Sequence, residues 1–323
     1  MTISLRRSPL TAVLAASTLL ALAGCTGVTY AETQVPRPPS PTVAAPGTAS
    51  PPTCTNATQS FDPLPSLPAS AAITDPRTRA IIKRGHLVVG VSSDSYLLGA
   101  RNPFTGKIEG FDIDIAKAVA KSLFGDENKV QLRVITAADR LPLLEDDSVD
   151  MVARNMTMTC DRWERINFSA EYYASGQKVL VTKTSTAQTL QDLKGQRVCA
   201  PVDTTTLAKL ESVGGTIPVT ANNHTGCLVL FQQGKADAIT GDDTVLAGLV
   251  AQDPYAKVTK APAITAEPYG LGFNQDAVYL TRYANTVLDN LKADGQWKKI
   301  YNTWFAGPLG PAPAPPKSVY GRP

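Results

Sequence analysis

The sequence predicts an α/β protein with two lobes, and three observations support this prediction. Short apolar segments typical of strands alternate with segments of helical periodicity. The alternation restarts after residue 180, and the phrases SVDMVARN and KADAITGDD share one order: a helix end, an aspartate, an apolar pair and a polar end. The alternating part, about residues 75–305, is long enough for two lobes of typical domain size. Each lobe is therefore expected to hold a mainly parallel sheet flanked by helices.

The N-terminus has the features of an export signal. Two arginines precede an apolar stretch that ends at Ala23 and is too short to span a membrane comfortably. The sequence LAGC, which ends at Cys25, resembles the bacterial lipobox. Residues 1–24 are therefore predicted to be a signal peptide and Cys25 the lipidated first residue of an exported protein, anchored to the outer face of the cytoplasmic membrane. An ordinary cleaved signal with an incidental cysteine is the alternative.

Two segments rich in proline flank the alternating part. One contains PRPPSPTVAAPGTASPP, and the other, PLGPAPAPPKSVYGRP, closes the chain. Their apolar residues follow neither structural period, so neither segment can bury enough surface to offset its ordering entropy. Residues 25–74 are predicted to be a lipid-anchored, Pro-rich linker of partly polyproline character. Residues 306–323 are predicted to be a Pro-rich tail of the same kind.

Charge and histidine content argue against several classes of function. The net charge of +3 is small for this length, and no basic run is interleaved with aromatic residues, so nucleic acid is not an expected partner. The chain has two histidines, His86 and His224, and no CxxC or HExxH spacing. This pattern predicts neither a metal site nor a cofactor.

Four cysteines remain besides Cys25, and their even number in an exported protein predicts two disulfides. Three connectivities are possible. Cys199 follows a strand-like segment and Cys227 opens a helix-like segment, so a Cys199–Cys227 bond would hold one lobe together. Cys54–Cys160 would then be the second bond. Free buried thiols are the alternative.

Polar residues follow four of the predicted strands. Ligands of parallel α/β sheets bind beyond the carboxyl ends of the strands, so two such half-sheets facing each other would form a binding cleft. The alternative is that these residues only mark loops. The four polar ends are Ser92-Ser93-Asp94, Arg154-Asn155, Asp203-Thr204-Thr205 and Gly241-Asp242-Asp243.

Five segments resemble the polar amino-acid-binding proteins of ABC importers, which are solute-binding proteins of family 3. The resemblance covers roughly residues 80–305 and is nearest to glutamate- and glutamine-binding lipoproteins of actinobacterial type. The segments are KIEGFDIDIAKAVAKSL, RLPLLEDDSVDMVARNMTMTCDRWERINFSAEYYASG, LKGQRVCAPVDTTTLAKL, LFQQGKADAITGDDTVLAGL and LKADGQWKKIYNTWF.

The resemblance implies the two-lobe Venus-flytrap fold of type II periplasmic binding proteins. Lobe 1 would comprise residues 75–181 and 268–305, and lobe 2 residues 182–267. The chain would cross the hinge near 181–184 and return near 266–269.

The same resemblance assigns ligand-binding roles in lobe 1. Arg162 matches the arginine that holds the α-carboxylate of the amino acid, and its planar donors suit both oxygens of that group. Thr157 and the backbone around Asn155 match positions that bind the polar groups of the ligand's backbone.

In lobe 2, Asp242 matches the carboxylate that takes the α-ammonium, with Asp243 as the alternative if the register shifts by one. Thr204 and Thr205 match a helix N-terminus, whose free N–H groups favour an anion. A zwitterion held between the two lobes would satisfy the rule that buried charges are paired.

Two departures from the family pattern bear on specificity. Arg154 stands where many relatives have a small hydroxyl residue, and Arg101 lies in a loop near the ligand-covering segment. One further inward arginine would favour a negative side chain, so aspartate or glutamate is expected before glutamine or asparagine. The alternative is that Arg101 and Arg154 face solvent or local acids. Tyr96 is expected to stack on the ligand, with a surface position as its alternative.

The sequence therefore predicts a monomeric receptor that closes on an acidic amino acid and delivers it to an ABC permease. Two alternatives stay open at this level. A sensor that signals to a membrane partner would use the same site. A dehydratase-like enzyme on the same fold would need a cleft acid for proton transfer, and the chain has no Ser-His-Asp or Cys-His set, so an enzyme is not expected.

Overall fold

The computed structural model describes residues 54–323. The predicted signal peptide, the lipidation site at Cys25 and linker residues 26–53 lie outside the described residues. Within the described part, no helix combines the length and apolar character needed to cross a membrane.

Strands and helices alternate through most of the described chain. The strands are β1 (Gln59–Phe61), β2 (Leu87–Val91), β3 (Asp94–Ser95), β4 (Gly99–Arg101), β5 (Ile108–Glu109), β6 (Val130–Val134), β7 (Met151–Val152), β8 (Ile166–Phe168), β9 (Tyr173–Thr182), β10 (Arg197–Pro201), β11 (Ile217–Ala221), β12 (Ala238–Asp242), β13 (Ala256–Val258), β14 (Ala266–Tyr269), β15 (Gly272–Asn274) and β16 (Val319–Arg322). The helices are α1 (Pro76–Arg84), α2 (Phe111–Phe124), α3 (Arg140–Glu145), α4 (Cys160–Trp163), α5 (Thr205–Val213), α6 (His224–Gln232), α7 (Asp243–Gln252), α8 (Val278–Ala293), α9 (Gln296–Trp304) and α10 (Ala306–Leu309).

Lobe 1 is built on a sheet of strand order β6-β2-β7-β15-β8. β2 is parallel to β6 and β7, whereas β15 is antiparallel to β7 and β8. The predicted amphipathic helix becomes α2, which buries Ile115, Val119 and Leu123 and ends at Gly125 in the left-handed conformation (φ 76°). The carboxyl ends of the parallel strands therefore point to one edge of the lobe.

Lobe 2 is built on a sheet of strand order β11-β10-β12-β9-β13. β10 is parallel to β11 and β12, and β9 is antiparallel to β12 and β13. Helix α5 begins after Thr204, whose side chain accepts a hydrogen bond from the N–H of Leu207. The predicted two-lobe α/β architecture is thus confirmed, with antiparallel strands at the points where the chain changes lobes.

The connection between the lobes is made by β9 and β14. The first part of β9, up to Gly176, pairs with β14, and from Gln177 onward β9 belongs to the lobe 2 sheet. The lobe boundary predicted at 181/182, with a crossing near 181–184, is therefore too late along the chain. Because β9 runs unbroken from one lobe into the other, the sequence contains no turn signal at the crossing. The predicted return near 266–269 coincides with β14.

The described part of the predicted linker, residues 54–74, and the predicted tail both carry packed structure, contrary to the prediction from composition. β1 pairs in parallel with β16, and the two strands form a separate small sheet. Asn285 of α8 donates hydrogen bonds from Nδ2 to the hydroxyl of Ser60 (2.9 Å) and to the carbonyl of Phe61 (2.8 Å). Composition missed this packing because the backbone groups of these segments are satisfied by partners distant in sequence.

Two disulfides are present, with the connectivity that the sequence favoured. Cys199–Cys227 joins β10 to α6 in the buried core of lobe 2. Cys54–Cys160 joins the start of the described chain to α4 of lobe 1, and both of its cysteines are partly exposed.

Candidate functional site

The polar strand ends of the two lobes face each other across a narrow cleft. Thr225 of α6 donates a hydrogen bond from its hydroxyl to the carbonyl of Asp94 in lobe 1 (3.0 Å). On α7, a Cβ added at Gly248 would lie 2.5 Å from the carbonyl oxygen of Tyr96, so only glycine permits this approach of the two lobes. The cleft is therefore closed along this edge.

A small cavity of about 20 Å³ remains between the lobes. This volume holds about one water molecule. Lobe 1 and lobe 2 both contribute to its lining, which consists of Ser95, Ala137, Arg140, Arg154, Asn155, Pro201, Thr204, Asn223 and His224.

Two buried arginines form the lobe 1 side of this cavity. Arg154 follows β7, as the sequence predicts, and donates from Nε to the carbonyl of Ile135 (3.0 Å). Arg140 opens α3 and donates from Nε to the carbonyl of Ala137 (2.9 Å). Burial lowers the pKa of both guanidiniums. Sequence patterns did not mark Arg140, because RLPLLE has the composition of an ordinary helix start.

The third arginine of this wall is Arg162, on α4. Its Nη1 donates to the carbonyl of Thr157 (2.7 Å), which directs the guanidinium towards the interlobe cleft. Burial lowers the pKa of Arg162, while the carboxylates of Glu267 and Asp242 act in the opposite direction. The structure thus brings Arg162 and Thr157 together, as the resemblance implied.

These three arginines take part in none of the ion pairs found within residues 54–323. Their hydrogen bonds go to backbone carbonyls, which are neutral acceptors. The ion pairs of the described chain are instead formed by Arg77, Arg84, Arg165 and Arg197.

The buried acid of lobe 1, Asp112, is fully engaged. Its Oδ1 accepts a hydrogen bond from the hydroxyl of Tyr172 and its Oδ2 one from the backbone N–H of Asn155, both of 2.9 Å. Burial raises its pKa to about 6. Asp112 therefore fixes the backbone at Asn155, which has a positive φ of 33°.

Asp242 forms the opposite wall, at the end of β12. Its Oδ2 accepts a hydrogen bond from the hydroxyl of Tyr269 (2.6 Å), whereas Oδ1 is buried and has no partner among the described residues. Burial, and next the nearby carboxylate of Glu267, raises the pKa of Asp242 to about 7. Asp243 instead accepts from the hydroxyl of Ser175 (2.6 Å). The geometry therefore favours Asp242 over Asp243 as the cleft acid.

Glu267, on β14, is a cleft residue that the sequence did not reveal. It is 3% exposed, and its Oε2 accepts hydrogen bonds from the hydroxyl of Thr157 in lobe 1 (2.6 Å) and from that of Thr205 in lobe 2 (2.9 Å). One carboxylate therefore bridges both walls from the hinge. A single glutamate in a short strand carries no pattern that would mark this role.

Two predicted site residues direct their side chains away from the cleft. Arg101 is exposed and donates from Nη1 to the carbonyl of Gly106 (2.6 Å), so the expectation that it reaches the ligand is wrong. Tyr96 is 47% exposed, and it lines a surface groove together with Arg101. The cause is the small antiparallel sheet of β3, β4 and β5, which turns both side chains outward.

The histidines, cysteines and acids of the described residues form no cluster that could hold a metal ion. Within the described range, no three side chains of the ligating types cluster closely enough to hold a metal ion. Burial lowers the pKa of His224 to about 4, so this cavity-lining imidazole is neutral at physiological pH.

This arrangement of two lobes around a polar cleft defines a solute-binding protein. Residues 87–307 match the bacterial extracellular solute-binding proteins, family 3, and the chain belongs to that family. The family consists of solute-binding proteins and not enzymes, which confirms the expectation that the chain is not an enzyme.

Named relatives and solved structures agree with this assignment. The chain is 34% identical over 228 residues to the ABC transporter glutamine-binding protein GlnH of Bacillus subtilis, a match that covers 70% of this chain and 83% of the relative. It is 29% identical over 233 residues to the glutamate-binding protein GluB of Corynebacterium efficiens, covering 68% and 79%. An ancestral arginine-binding protein bound to glutamine superposes with a TM-score of 0.64 at 31% identity, covering 69% of this chain and 98% of that structure.

Proposed function

We propose that the protein binds an acidic amino acid, aspartate or glutamate, between its lobes and delivers it to an ABC permease. The observation that supports this ligand class is the charge of the lobe 1 wall. Arg140, Arg154 and Arg162 converge there without an ion-pair partner in the described chain. Nearby carboxylates act on these arginines without forming ion pairs, so a ligand with two carboxylates would supply direct partners of opposite charge.

Arg162 is the proposed partner of the α-carboxylate. It stands beside Thr157 in lobe 1 and opposite the N-terminus of α5, where Thr204 and Thr205 begin the helix. A guanidinium can donate to both carboxylate oxygens, and a helix N-terminus adds favourable partial charge. The backbone at Asn155, fixed by Asp112, is the proposed further donor.

Asp242 is the proposed partner of the α-ammonium. Its Oδ1 is an unused buried acceptor, and its other oxygen is held in place by Tyr269. An ammonium bound there would satisfy this acceptor and compensate the neighbouring charge of Glu267.

Arg154 and Arg140 are the proposed partners of the side-chain carboxylate. Both line the cavity, and the neutral His224 on its other side adds no competing positive charge. The relatives named above bind glutamine or glutamate, so the amides glutamine and asparagine are the natural competitors. We infer that the acid is preferred, because an amide would give neither guanidinium a directly paired carboxylate, and the described chain supplies none.

Lobe closure is the proposed mechanism. The cavity has room for about one water molecule, so an amino acid would enter only when the lobes separate at β9 and β14, and it would hold them slightly further apart than they are here. A ligand that contacts both walls would bind the closed form better and shift the population towards it. The membrane partner would then recognise that form.

Membership in an extracellular family implies that the protein is exported. We propose in addition that Cys25 carries the lipid anchor and that the protein acts as a monomer, since one chain supplies both walls of the cleft. Mass spectrometry of the mature N-terminus would test the anchor, and an unmodified Cys25 would contradict it.

Calorimetric titration tests the ligand class. The full chain carrying Cys25→Ser, unfolded and refolded to remove carried ligand, would be titrated with aspartate, glutamate, asparagine, glutamine and arginine. Tighter binding of aspartate or glutamate is expected, and tighter binding of an amide would refute the proposed role of Arg154 and Arg140. Delivery is tested by uptake of the labelled ligand in cells lacking the gene; unchanged uptake would favour the sensory alternative.

A further inference from the structure

The two ends of the described chain meet at the helix that carries Arg162. Residues 54–61 approach α4 from one side, and residues 319–322 pair with them through β1 and β16. We call these two segments together the terminal clasp. They lie outside the part of the chain that matches the family, residues 87–307.

The terminal clasp contacts α4 at both ends of the helix. Cys160, the first residue of the helix, is bonded to Cys54. Trp163, the last residue, donates from Nε1 to the carbonyl of Ala57 (2.7 Å). The guanidinium carbon of Arg322 lies 3.7 Å from the centre of the Trp163 ring, a cation–π contact.

Arg322 also ties the two segments of the clasp to each other. Its Nε donates to the carbonyl of Gln59 (2.8 Å) and its Nη2 to that of Asn56 (2.9 Å). Phe61 packs edge-on against Trp163 with ring centres 6.1 Å apart. The contacts to α4 therefore form one connected unit.

Helix α4 needs such external support. It spans Cys160–Trp163, a single turn, and an isolated helix of this length is not stable in water. Its internal support is the cap at Thr159, whose side chain accepts from the N–H of Arg162. Arg162 lies between Cys160 and Trp163, the two residues that the clasp contacts. The direction of its guanidinium therefore depends on how the clasp holds the turn.

We propose that the terminal clasp is a positioning device for Arg162, with Cys54, Cys160 and Arg322 as positioning residues for binding of the ligand's α-carboxylate. This inference rests on the proposed function of Arg162. Loss of the clasp would allow α4 to sample other orientations, and the ligand would have to select the productive one, which weakens the apparent affinity.

The second disulfide supplies a matched control. Cys199–Cys227 links β10 to α6, and it lies in the buried core of lobe 2, away from α4. Its removal is expected to lower stability while leaving Arg162 positioned.

The experiment compares full-length Cys25→Ser protein with the same chain carrying Cys54→Ser/Cys160→Ser, Arg322→Ala, Arg322→Lys or Cys199→Ser/Cys227→Ser. The dissociation constant for L-glutamate and L-aspartate is measured at a temperature where circular dichroism shows every variant to be folded. Removing Cys54–Cys160 should weaken binding about tenfold or more, and Arg322→Ala about threefold to tenfold. Arg322→Lys, which keeps a cation over Trp163, should retain part of the affinity, and the lobe 2 control should stay within about twofold of the parent.

Hydrogen exchange of the ligand-free proteins provides the independent reading. The backbone amides of α4 should exchange faster after removal of Cys54–Cys160 or of the Arg322 side chain. Their exchange rates should be unchanged in the lobe 2 control. Unchanged affinity and unchanged exchange in the folded Arg322→Ala variant would overturn the proposal. This result would decide the question even if Cys54→Ser/Cys160→Ser fails to fold. If the parent binds no amino acid, the proposed function fails, whereas exchange at α4 still decides whether the clasp holds the turn.

Discussion

The two walls of the cleft carry opposite charges. Lobe 1 presents Arg140, Arg154 and Arg162, whereas lobe 2 and the hinge present Asp242 and Glu267. Each wall by itself holds charge that is only partly compensated. A zwitterion with an additional carboxylate would complete both walls at once, so lobe closure and the charge of the ligand are coupled.

The buried acids of the two lobes show the same contrast at atomic scale. Both side-chain oxygens of Asp112 have donors, from Tyr172 and Asn155. Asp242 has one donor and one unused oxygen. A satisfied acid stabilises a loop, and an unsatisfied one is available to a ligand.

The largest effect is expected for Arg162→Ala. The variant removes the only proposed charged partner of the α-carboxylate, which every amino acid carries. Affinity for all amino acids should fall more than about 100-fold, in line with the loss of one partner of a charged, hydrogen-bonded pair. Calorimetry with aspartate, glutamate and glutamine measures this loss, and retained tight binding of any of them would contradict the assignment.

Asp242→Asn should act on binding and stability in opposite directions. Asparagine can still accept the hydrogen bond from Tyr269, but it carries no charge for the ammonium. Binding of the parent should be about tenfold weaker at pH 6 than at pH 8, because the pKa of Asp242 is raised to about 7 and only the ionised form pairs with an ammonium. The variant should bind weakly at both pH values. If its affinity changed with pH as that of the parent does, a group other than Asp242 would be responsible for the pH dependence.

The stability change follows from the same pKa. Burial, and next Glu267, raises the pKa of Asp242 from 3.8 to about 7, so the folded protein holds this proton more tightly than the unfolded chain does. The stabilising contribution of the proton is present below the unfolded value and is lost as pH rises towards 7. The free energy of unfolding of ligand-free Asp242→Asn should therefore exceed that of the parent at pH 8 by on the order of 3 kcal/mol. Equal denaturation midpoints at pH 8 would argue against a strained, charged Asp242.

A smaller effect is expected for Glu267→Gln. Glutamine can still accept from the hydroxyls of Thr157 and Thr205, but the negative charge beside Asp242 is gone. The pKa of Asp242 should fall, so the midpoint of the pH profile for binding should move to lower pH. An unchanged midpoint in calorimetric titrations across pH would show that Glu267 does not influence Asp242.

The smallest effect is expected for Arg101→Ala and Tyr96→Ala. Both side chains lie on the surface groove formed by the β3–β5 sheet and not on the cleft. Their dissociation constants should stay within about twofold of the parent, as is usual for exposed substitutions away from the site. A selective loss of acidic ligands in Arg101→Ala would show that this loop refolds onto the ligand.

Sequence patterns predicted the lobes because hydrophobic periodicity reports burial directly. The strand at Leu87–Val91 and the helix at Phe111–Phe124 lie where their apolar spacing indicated. Motif resemblance likewise singled out Arg162, which lies in α4, and Asp242, which ends β12.

The remaining residues depend on contacts that a single sequence does not encode locally. Arg140 and Glu267 lie in ordinary helix and strand segments, and only tertiary packing aims them at the cleft. Arg101 was placed by its distance along the chain from the first strand, and the small sheet of β3, β4 and β5 turned it away. The described residues of the predicted linker and tail pack through partners more than 200 residues apart, such as Gln59 and Tyr320, which are separated by 261 positions.

The central claim is that Arg154 recognises a negative side chain, and a double-mutant cycle tests it most directly. Parent and Arg154→Gln would each be titrated with glutamate and glutamine, and with aspartate and asparagine. If Arg154 pairs with the ligand's side-chain carboxylate, the loss of affinity for the acids should exceed the loss for the amides by at least about tenfold, or ~1.4 kcal/mol of coupling. Equal losses for acid and amide would contradict it and would show that Arg154 supports the cleft without reading the charge of the ligand.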